Sequence, residues 1–304
     1  MARFIRFKDI FPIKGKVKTP GFGISKSFYL TVLASDSVLP PLLALINPKG
    51  VGGAVEGFGV PMQQGSTKDD LAKPLMRGFY GLSCPKQKTL LKLTVISKEE
   101  AGFDPGPLLK SPSALLMPDE VRTGIAAAWH LLQFTFESYD PEVYPALDFL
   151  HEIVLHTAKA SNGLIADPLA QTYWPVDCFP IEPDPGLPFS TLGLISAKER
   201  AHPDGLEVHT LGMQKFNLPE IEVRGVGPAE GEACVSFLLS LSQNVLKGQL
   251  LQIGQIVGEG EASFMVIQGG ADKRHWDGIP CFSLTPNGSL SPSAILRTWK
   301  KEQG

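Results

Sequence analysis

The sequence contains few cysteines, no long apolar run and no strong charge of either sign. Its four cysteines among 304 residues are too few and too scattered for a disulfide framework or a cysteine-based zinc site. A net charge of −3 gives no field that would attract nucleic acid or anionic lipid to the whole molecule. These shortages argue against a disulfide-stapled secreted domain and against a nucleic-acid-binding protein.

Signals for membrane insertion and export are missing from the sequence as well. The longest apolar stretch, residues 39–46, contains two prolines and is far shorter than the roughly 20 residues that span a bilayer. The first eight residues are basic and lack the apolar core of a secretory signal. With so few thiols, this pattern predicts a protein of the reducing cytoplasm.

The residues that are present favour a globular protein of the α+β class. Hydrophobic residues make up 43% and charged residues 19%, which is enough to bury a sizeable core. Apolar periodicity predicts long helices at about 119–137, 141–161 and 229–247. Predicted strands are mixed among them without regular βα alternation, at 27–35, 90–96, 163–166, 206–211, 220–226, 249–257 and 263–268. We therefore expect a mixed β-sheet packed by these helices.

Charge and turn residues suggest three regions along the chain. Residues 1–26 form a basic N-terminal arm, with seven lysines and arginines against a single acid. Residues 27–270 are predicted to form the body, as two closely packed halves, 27–110 and 119–270, joined by a proline-rich connector. Residues 271–304 are predicted to be a peripheral C-terminal tail with one strand and one short basic helix. Both ends could contact a partner or the body.

Common catalytic and cofactor motifs are not found. His151 and His156 are five residues apart, about 140° around a helix, whereas zinc-binding histidines on one helix face are four apart. The glycine-rich stretch 50–66 lacks both the Walker and the GxGxxG pattern, and no GxSxG serine occurs. We therefore expect no metal and no cofactor. The sequence does not exclude a catalytic cysteine–histidine pair, because the two residues of such a pair meet in the fold and need not be close in the sequence.

The most distinctive local pattern lies between residues 206 and 226. Strand alternation places His209 on the face opposite Val208, and it places Glu220 and Glu222 together on one face of the next strand. If the two strands pair, His209 lies beside these carboxylates. His209, Glu220 and Glu222 are thus the candidate catalytic residues, either as an acid–base cluster or as a solvated polar face of the sheet.

The same block resembles a known family. Thr210, Gly212, Met213 and the run Leu218-Pro219-Glu220, followed by a helix and then a strand, are similar to the bacterial domain of unknown function 4261 family. The resemblance is best over 206–258, fair over 119–175 and weak before 110. It implies a bacterial source but no known activity, and it supplies no catalytic residue.

The sequence supports three hypotheses about function. The absence of a catalytic signature favours a non-enzymatic protein-binding or interaction protein, with a protein partner or self-association. A small-molecule hydrolase with His209 as general base is the first alternative, and a structural subunit of a larger assembly is the second. A deep pocket lined by His209 would favour the hydrolase, whereas exposed apolar surface would favour an interaction protein.

Overall fold

A computed structural model of the chain describes residues 4–5, 23–45, 59–61, 72–84, 89–138, 143–187 and 189–303. These residues divide into two units, each with a seven-stranded sheet. Unit 1 consists of the described residues of 1–25 and 182–304, and unit 2 of those of 26–181. The predicted α+β class is confirmed, with two sheets where a single mixed sheet was expected.

The elements are numbered in chain order. The strands are β1 (Phe4–Ile5), β2 (Tyr29–Ala34), β3 (Gly59–Pro61), β4 (Gly78–Cys84), β5 (Thr89–Ser97), β6 (His130–Phe136), β7 (Leu164–Asp167), β8 (Thr172–Trp174), β9 (Ser196–His202), β10 (Gly205–Leu211), β11 (Glu220–Val226), β12 (Ile256–Glu259), β13 (Ala262–Gln268) and β14 (Cys281–Pro286). The α-helices are α1 (Leu42–Leu45), α2 (Pro105–Leu109), α3 (Asp119–Ala127), α4 (Val143–Ala160), α5 (Gly231–Leu246), α6 (Lys273–Trp276) and α7 (Pro292–Gln303).

Unit 2 is built on an antiparallel sheet with the order β3-β4-β5-β6-β2-β7-β8. Helix α4 contacts β2, β5 and β7. Helix α3 buries Val121 and Ile125 against Leu33 of β2 and Leu164 of β7. Burial of side chains of this size contributes about 1.5–3 kcal/mol each, so these contacts hold α3 on the sheet.

Unit 1 is built on a mixed sheet with the order β1-β12-β13-β14-β11-β10-β9. The pairs β1·β12 and β11·β14 are parallel, and the other neighbours are antiparallel. Helix α5 contacts β9, β10 and β11, and helix α7 contacts β11, β13 and β14. Among the described residues of both units, no helix combines the length and the apolarity that crossing a bilayer requires.

Two of the three predicted long helices are confirmed, and one is wrong in its second half. Helices α4 and α5 match the predictions at 141–161 and 229–247 within two residues. The helix predicted at 119–137 ends at Ala127, and residues 130–136 form β6. In β6 the side chains at 132, 134 and 136 are buried while those between them are partly exposed, which is the period of a strand.

The regions predicted along the chain differ from the two units observed. The two units divide between Ile181 and Glu182. The boundary predicted between residues 110 and 119 lies inside unit 2, because β5 on one side of it pairs with β6 on the other. The C-terminal tail is not peripheral: β14 lies between β13 and β11 in the sheet of unit 1. Most of the basic arm 1–26 and of the glycine-rich stretch 50–66 lies outside the described residues, although β1 pairs with β12.

Candidate functional site

The sheet of unit 1 brings the predicted histidine and one predicted carboxylate directly together. Strands β10 and β11 pair antiparallel, with His209 opposite Glu222 and Glu207 opposite Arg224. Their connection turns at Gly212 and Asn217, which have φ values of 114° and 57°. Glycine and asparagine tolerate this left-handed backbone better than other residues, so they allow the short turn between the two strands.

Glu220, the third predicted residue, is engaged in a different role. It is completely buried, and its carboxyl group accepts hydrogen bonds from the Thr210 hydroxyl at 2.7 Å and from the Gly212 and Gln214 amides at 2.8 and 3.2 Å. Burial raises the pKa of Glu220, and these hydrogen bonds oppose the rise. Glu220 therefore fixes the β10–β11 connection and is not part of an acid–base pair with His209.

Glu207 is the central carboxylate of the site, and sequence reasoning did not single it out. It is fully buried and lies opposite Arg200 of β9. Nη2 of Arg200 donates to both Glu207 oxygens, at 2.8 and 2.9 Å, and Nε of Arg224 lies 3.1 Å from Oε2. Nδ1 of His209 lies 3.5 Å from Oε1, close enough for charge attraction but too far for a well-formed hydrogen bond.

A segment distant in the sequence, residues 270–276, lies over this face of the sheet. The Trp276 indole donates to Oε2 of Glu222 at 3.1 Å, and Asp272 accepts from Nη1 of Arg200 at 2.8 Å. The His275 ring packs edge-on against the His209 ring, with centroids 4.6 Å apart. We name the set Arg200, Glu207, His209, Glu222, Arg224, Asp272, His275 and Trp276 the charged cluster.

Electrostatics keep Glu207 ionised in spite of its burial. Burial alone would raise its pKa, but the nearby His209, Arg200 and Arg224 outweigh that effect and hold the pKa at about 2. Burial lowers the pKa of His275, and the charges of His209 and Arg200 add to this. The cluster therefore holds a fixed negative charge beside a histidine whose neutral form is favoured.

The charged cluster is closed to a substrate. His209 is only 3% exposed, and Glu207 and Glu222 have no exposed surface. A general base must reach the proton that it removes, directly or through one water. The surface of the cluster consists instead of the partly exposed His275 and of the two arginines and Asp272, whose side chains are 27–40% exposed and are engaged in ion pairs. This arrangement suits a structural charge network better than a catalytic cleft.

The cluster also contains the one group of metal-type ligands found among the described residues. Glu207, His209 and His275 each offer one ligand atom, and these atoms lie within 4.8 Å of one another. Nε2 of His275 is buried and has no hydrogen-bond partner, and the buried Nδ1 of His209 has only its long, 3.5 Å contact with Glu207. The three ligands come from positions 207, 209 and 275, so no local spacing in the sequence indicates them.

The histidines of the sequence motif on α4 have separate structural contacts. His156 donates from Nε2 to the Ala44 carbonyl at 2.7 Å, and the His151 ring packs edge-on against Phe179 with centroids 5.3 Å apart. The two imidazoles are therefore held by different parts of unit 2.

The thiols offer no activated nucleophile at this site. Cys281 and Cys234 are buried, and burial raises the pKa of both thiols far above neutrality. Cys84 is also buried, whereas Cys178 is exposed. A thiol reagent such as dithionitrobenzoate at pH 8 is expected to label one cysteine quickly in the native protein and all four in guanidinium. Rapid labelling of Cys234 or Cys281 in the native state would contradict this account.

Two concave surfaces lie among the described residues of unit 2. One, of about 310 Å³, lies at the ends of β2 and β5, and we name it the end groove; it is lined by Ser37, Val38, Leu39, Pro74, Leu75, Met76, Arg77, Val95, Ile96, Ser97, Glu100 and His130. The second, of about 320 Å³, lies on the sheet between Tyr29 and Tyr173. Burial raises the pKa of both tyrosines, which therefore remain neutral hydroxyl groups. His209 lines neither surface.

Comparison with protein-family models, with curated proteins and with solved structures found no match to this chain. The resemblance over 206–258 thus stays a prediction, and any function has to be argued from the side chains themselves.

Proposed function

We propose that the chain is a non-enzymatic protein that binds another protein through the end groove of unit 2. The observation that carries the proposal is the exposure of two large apolar side chains at this groove, Val38 at 69% and Met76 at 70%. Leaving such side chains in water forgoes about 1.5–3 kcal/mol each, which a partner that covers them would recover. Contiguous exposed apolar surface commonly marks an interaction site.

The distribution of exposed apolar side chains also favours unit 2 as the binding unit. Among the described residues, most of the exposed large apolar side chains belong to unit 2: Val38, Leu43, Met76, Phe79, Leu90, Leu115, Leu116, Trp129 and Ile181, against Leu192 and Ile253 in unit 1. An ion pair between Arg77 and Glu100, at 2.6 Å, lies in the lining of the groove. An apolar centre beside charged groups is the usual anatomy of a protein interface.

A different protein is a better occupant than a second copy of this chain. The surface is concave and accepts a protruding apolar side chain, whereas a two-fold dimer needs a patch that is complementary to itself. We further propose a bacterial source and the reducing cytoplasm as the working compartment. The free thiols of Cys178, Cys234 and Cys281 support that compartment. A net charge of −3 makes nucleic acid an unfavourable partner.

The alternatives receive less support from the geometry. A hydrolase with His209 as base needs an open site at His209, and that ring is 3% exposed. A structural subunit of a larger assembly would use the same apolar surfaces. The number of chains in the purified complex, and not the groove, distinguishes it from a binding protein.

Site-specific crosslinking tests the proposal. A photoreactive residue at Met76, in the chain expressed in its host cells, is expected to give a discrete crosslinked species, because that side chain is covered by the partner. The same residue at Ile253, which is 61% exposed in unit 1, is the matched control and should give none. The purified partner should then bind Met76→Asp at least about tenfold more weakly than wild type, and Ile253→Asp within about twofold.

Three results would count against the proposal. They are the absence of a discrete species from position 76, equal crosslinking from both positions, and a purified partner that binds Met76→Asp as well as wild type. A crosslink between two copies of the chain, with a dimer in light scattering, would show that the occupant of the end groove is a second copy and not a different protein.

A further inference from the structure

We propose that Glu207, His209 and His275 form a binding site for one divalent transition metal ion, with Zn²⁺ as the best-fitting ion. The convergence of three ligand atoms carries the inference, together with Nε2 of His275, because a buried imidazole nitrogen that finds no hydrogen-bond partner is costly. The His209 side chain is only 4% exposed, and one ligand atom from each of the three residues lies within 4.8 Å of the other two.

The separations fit shared coordination. Two ligands that each lie about 2.0–2.1 Å from one tetrahedral metal ion are about 3.3–3.4 Å apart. Nδ1 of His209 and Oε1 of Glu207 are 3.5 Å apart, which needs almost no adjustment. The His275 ring already packs against the His209 ring at 4.6 Å between centroids, and its side chain lies on the short helix α6. Its ligand nitrogen lies within 4.8 Å of the ligand atoms of the other two residues.

The donor set selects the class of metal. Two imidazoles and one carboxylate are typical ligands of Zn²⁺ and of its neighbours in the first transition row. Ca²⁺ and Mg²⁺ prefer shells made almost wholly of oxygen, so they are excluded as the preferred ion. Both histidines bind a metal ion in the neutral form.

The charges around the proposed ligands balance before a cation binds. Glu207, Glu222 and Asp272 bring three formal negative charges, against three from Arg200, Arg224 and Lys198, which pairs opposite His209. The guanidinium of Arg200 also holds the Glu207 carboxylate in place from its outer side, which is the role that groups behind a metal ligand commonly have. A metal ion here would tie β10 to segment 270–276, which is otherwise joined to it through side-chain contacts. Its role is therefore structural.

Metal titration of the full-length chain tests the site. The chain is treated with EDTA, freed of chelator and titrated with ZnCl₂ by calorimetry, with Co²⁺ absorption as a second readout. One equivalent of Zn²⁺ is expected to bind and to raise the melting temperature, because it binds the folded state only. Co²⁺ should give the visible bands of a site with nitrogen ligands.

Matched variants separate this site from adventitious binding. His275→Ala and His209→Ala are expected to lose the stoichiometric Zn²⁺ and the Co²⁺ bands. His202→Ala, which changes a histidine of β9 outside the site, should keep both. His275 is half-buried on a short surface segment, so its variant keeps the test valid if His209→Ala fails to fold. The proposal is overturned by an absence of stoichiometric binding in wild type, or by binding that survives His275→Ala.

Discussion

Replacing Glu220 by alanine is expected to lower the free energy of unfolding by about 3–5 kcal/mol, because it leaves several buried donors without an acceptor. The Thr210 hydroxyl and the Gly212 and Gln214 amides all donate to this one carboxyl group. Urea unfolding at pH 7, followed by circular dichroism, measures the loss. The turn between β10 and β11 should be the first region to lose protection in hydrogen exchange.

Two control variants show whether the loss comes from the hydrogen bonds of Glu220. Glu220→Gln is expected to cost less, about 1–2 kcal/mol, because its amide oxygen can still accept from the Gly212 and Gln214 amides while its NH2 group donates to the Thr210 hydroxyl oxygen. Glu232→Ala, an exposed acid in the first turn of α5, should change stability by about 0.5 kcal/mol or less. A loss below about 1 kcal/mol for Glu220→Ala would contradict the role assigned to this residue.

Gly212→Ala is expected to destabilise the protein by about 3–5 kcal/mol, for two physical reasons that act together. The φ of Gly212 is 114°, which costs an alanine roughly 1–3 kcal/mol of backbone strain. An added Cβ would also lie 2.4 Å from the backbone carbonyl oxygen of Leu194, so the backbone would have to shift. Equilibrium unfolding in urea measures the combined effect.

Gly254→Ala separates the two contributions. Gly254 has a φ of 83° and no atom within 4 Å of an added Cβ, so only the backbone strain of about 1–2 kcal/mol is expected. Equal losses for the two variants would show that the close contact between the added Cβ and the Leu194 carbonyl oxygen does not contribute to the loss in Gly212→Ala.

The sequence predicts the pairing of β10 with β11 correctly because the relevant information there is local. Alternation along 206–211 and 220–226, with Gly212 and Asn217 between them, indicates two paired strands and places His209 beside Glu222. The long helix α4 is equally well indicated by apolar residues at helical spacing. Both features depend on residues that are close in the chain.

What the sequence could not predict depends on long-range pairing. One strand was expected in the tail 271–304, but nothing local shows that this strand, β14, pairs parallel with β11 and lies inside the sheet. The same arrangement brings His275 and Trp276 to His209 across more than 60 residues. The error at 119–137 has a local cause, because a run of alanines leads into β6 without a glycine or proline to mark the end of α3.

The central claim is that unit 2 carries the function and that the charged cluster of unit 1 supports the fold. The most direct test is to measure, side by side, the affinity of Val38→Asp and His209→Ala for the crosslinked partner once that partner is purified. We expect Val38→Asp to bind at least about tenfold more weakly, since it places a charge in an apolar interface. His209→Ala should bind within about twofold of wild type, although it unfolds at lower urea. The reverse pattern, with binding lost in His209→Ala and kept in Val38→Asp, would contradict the account.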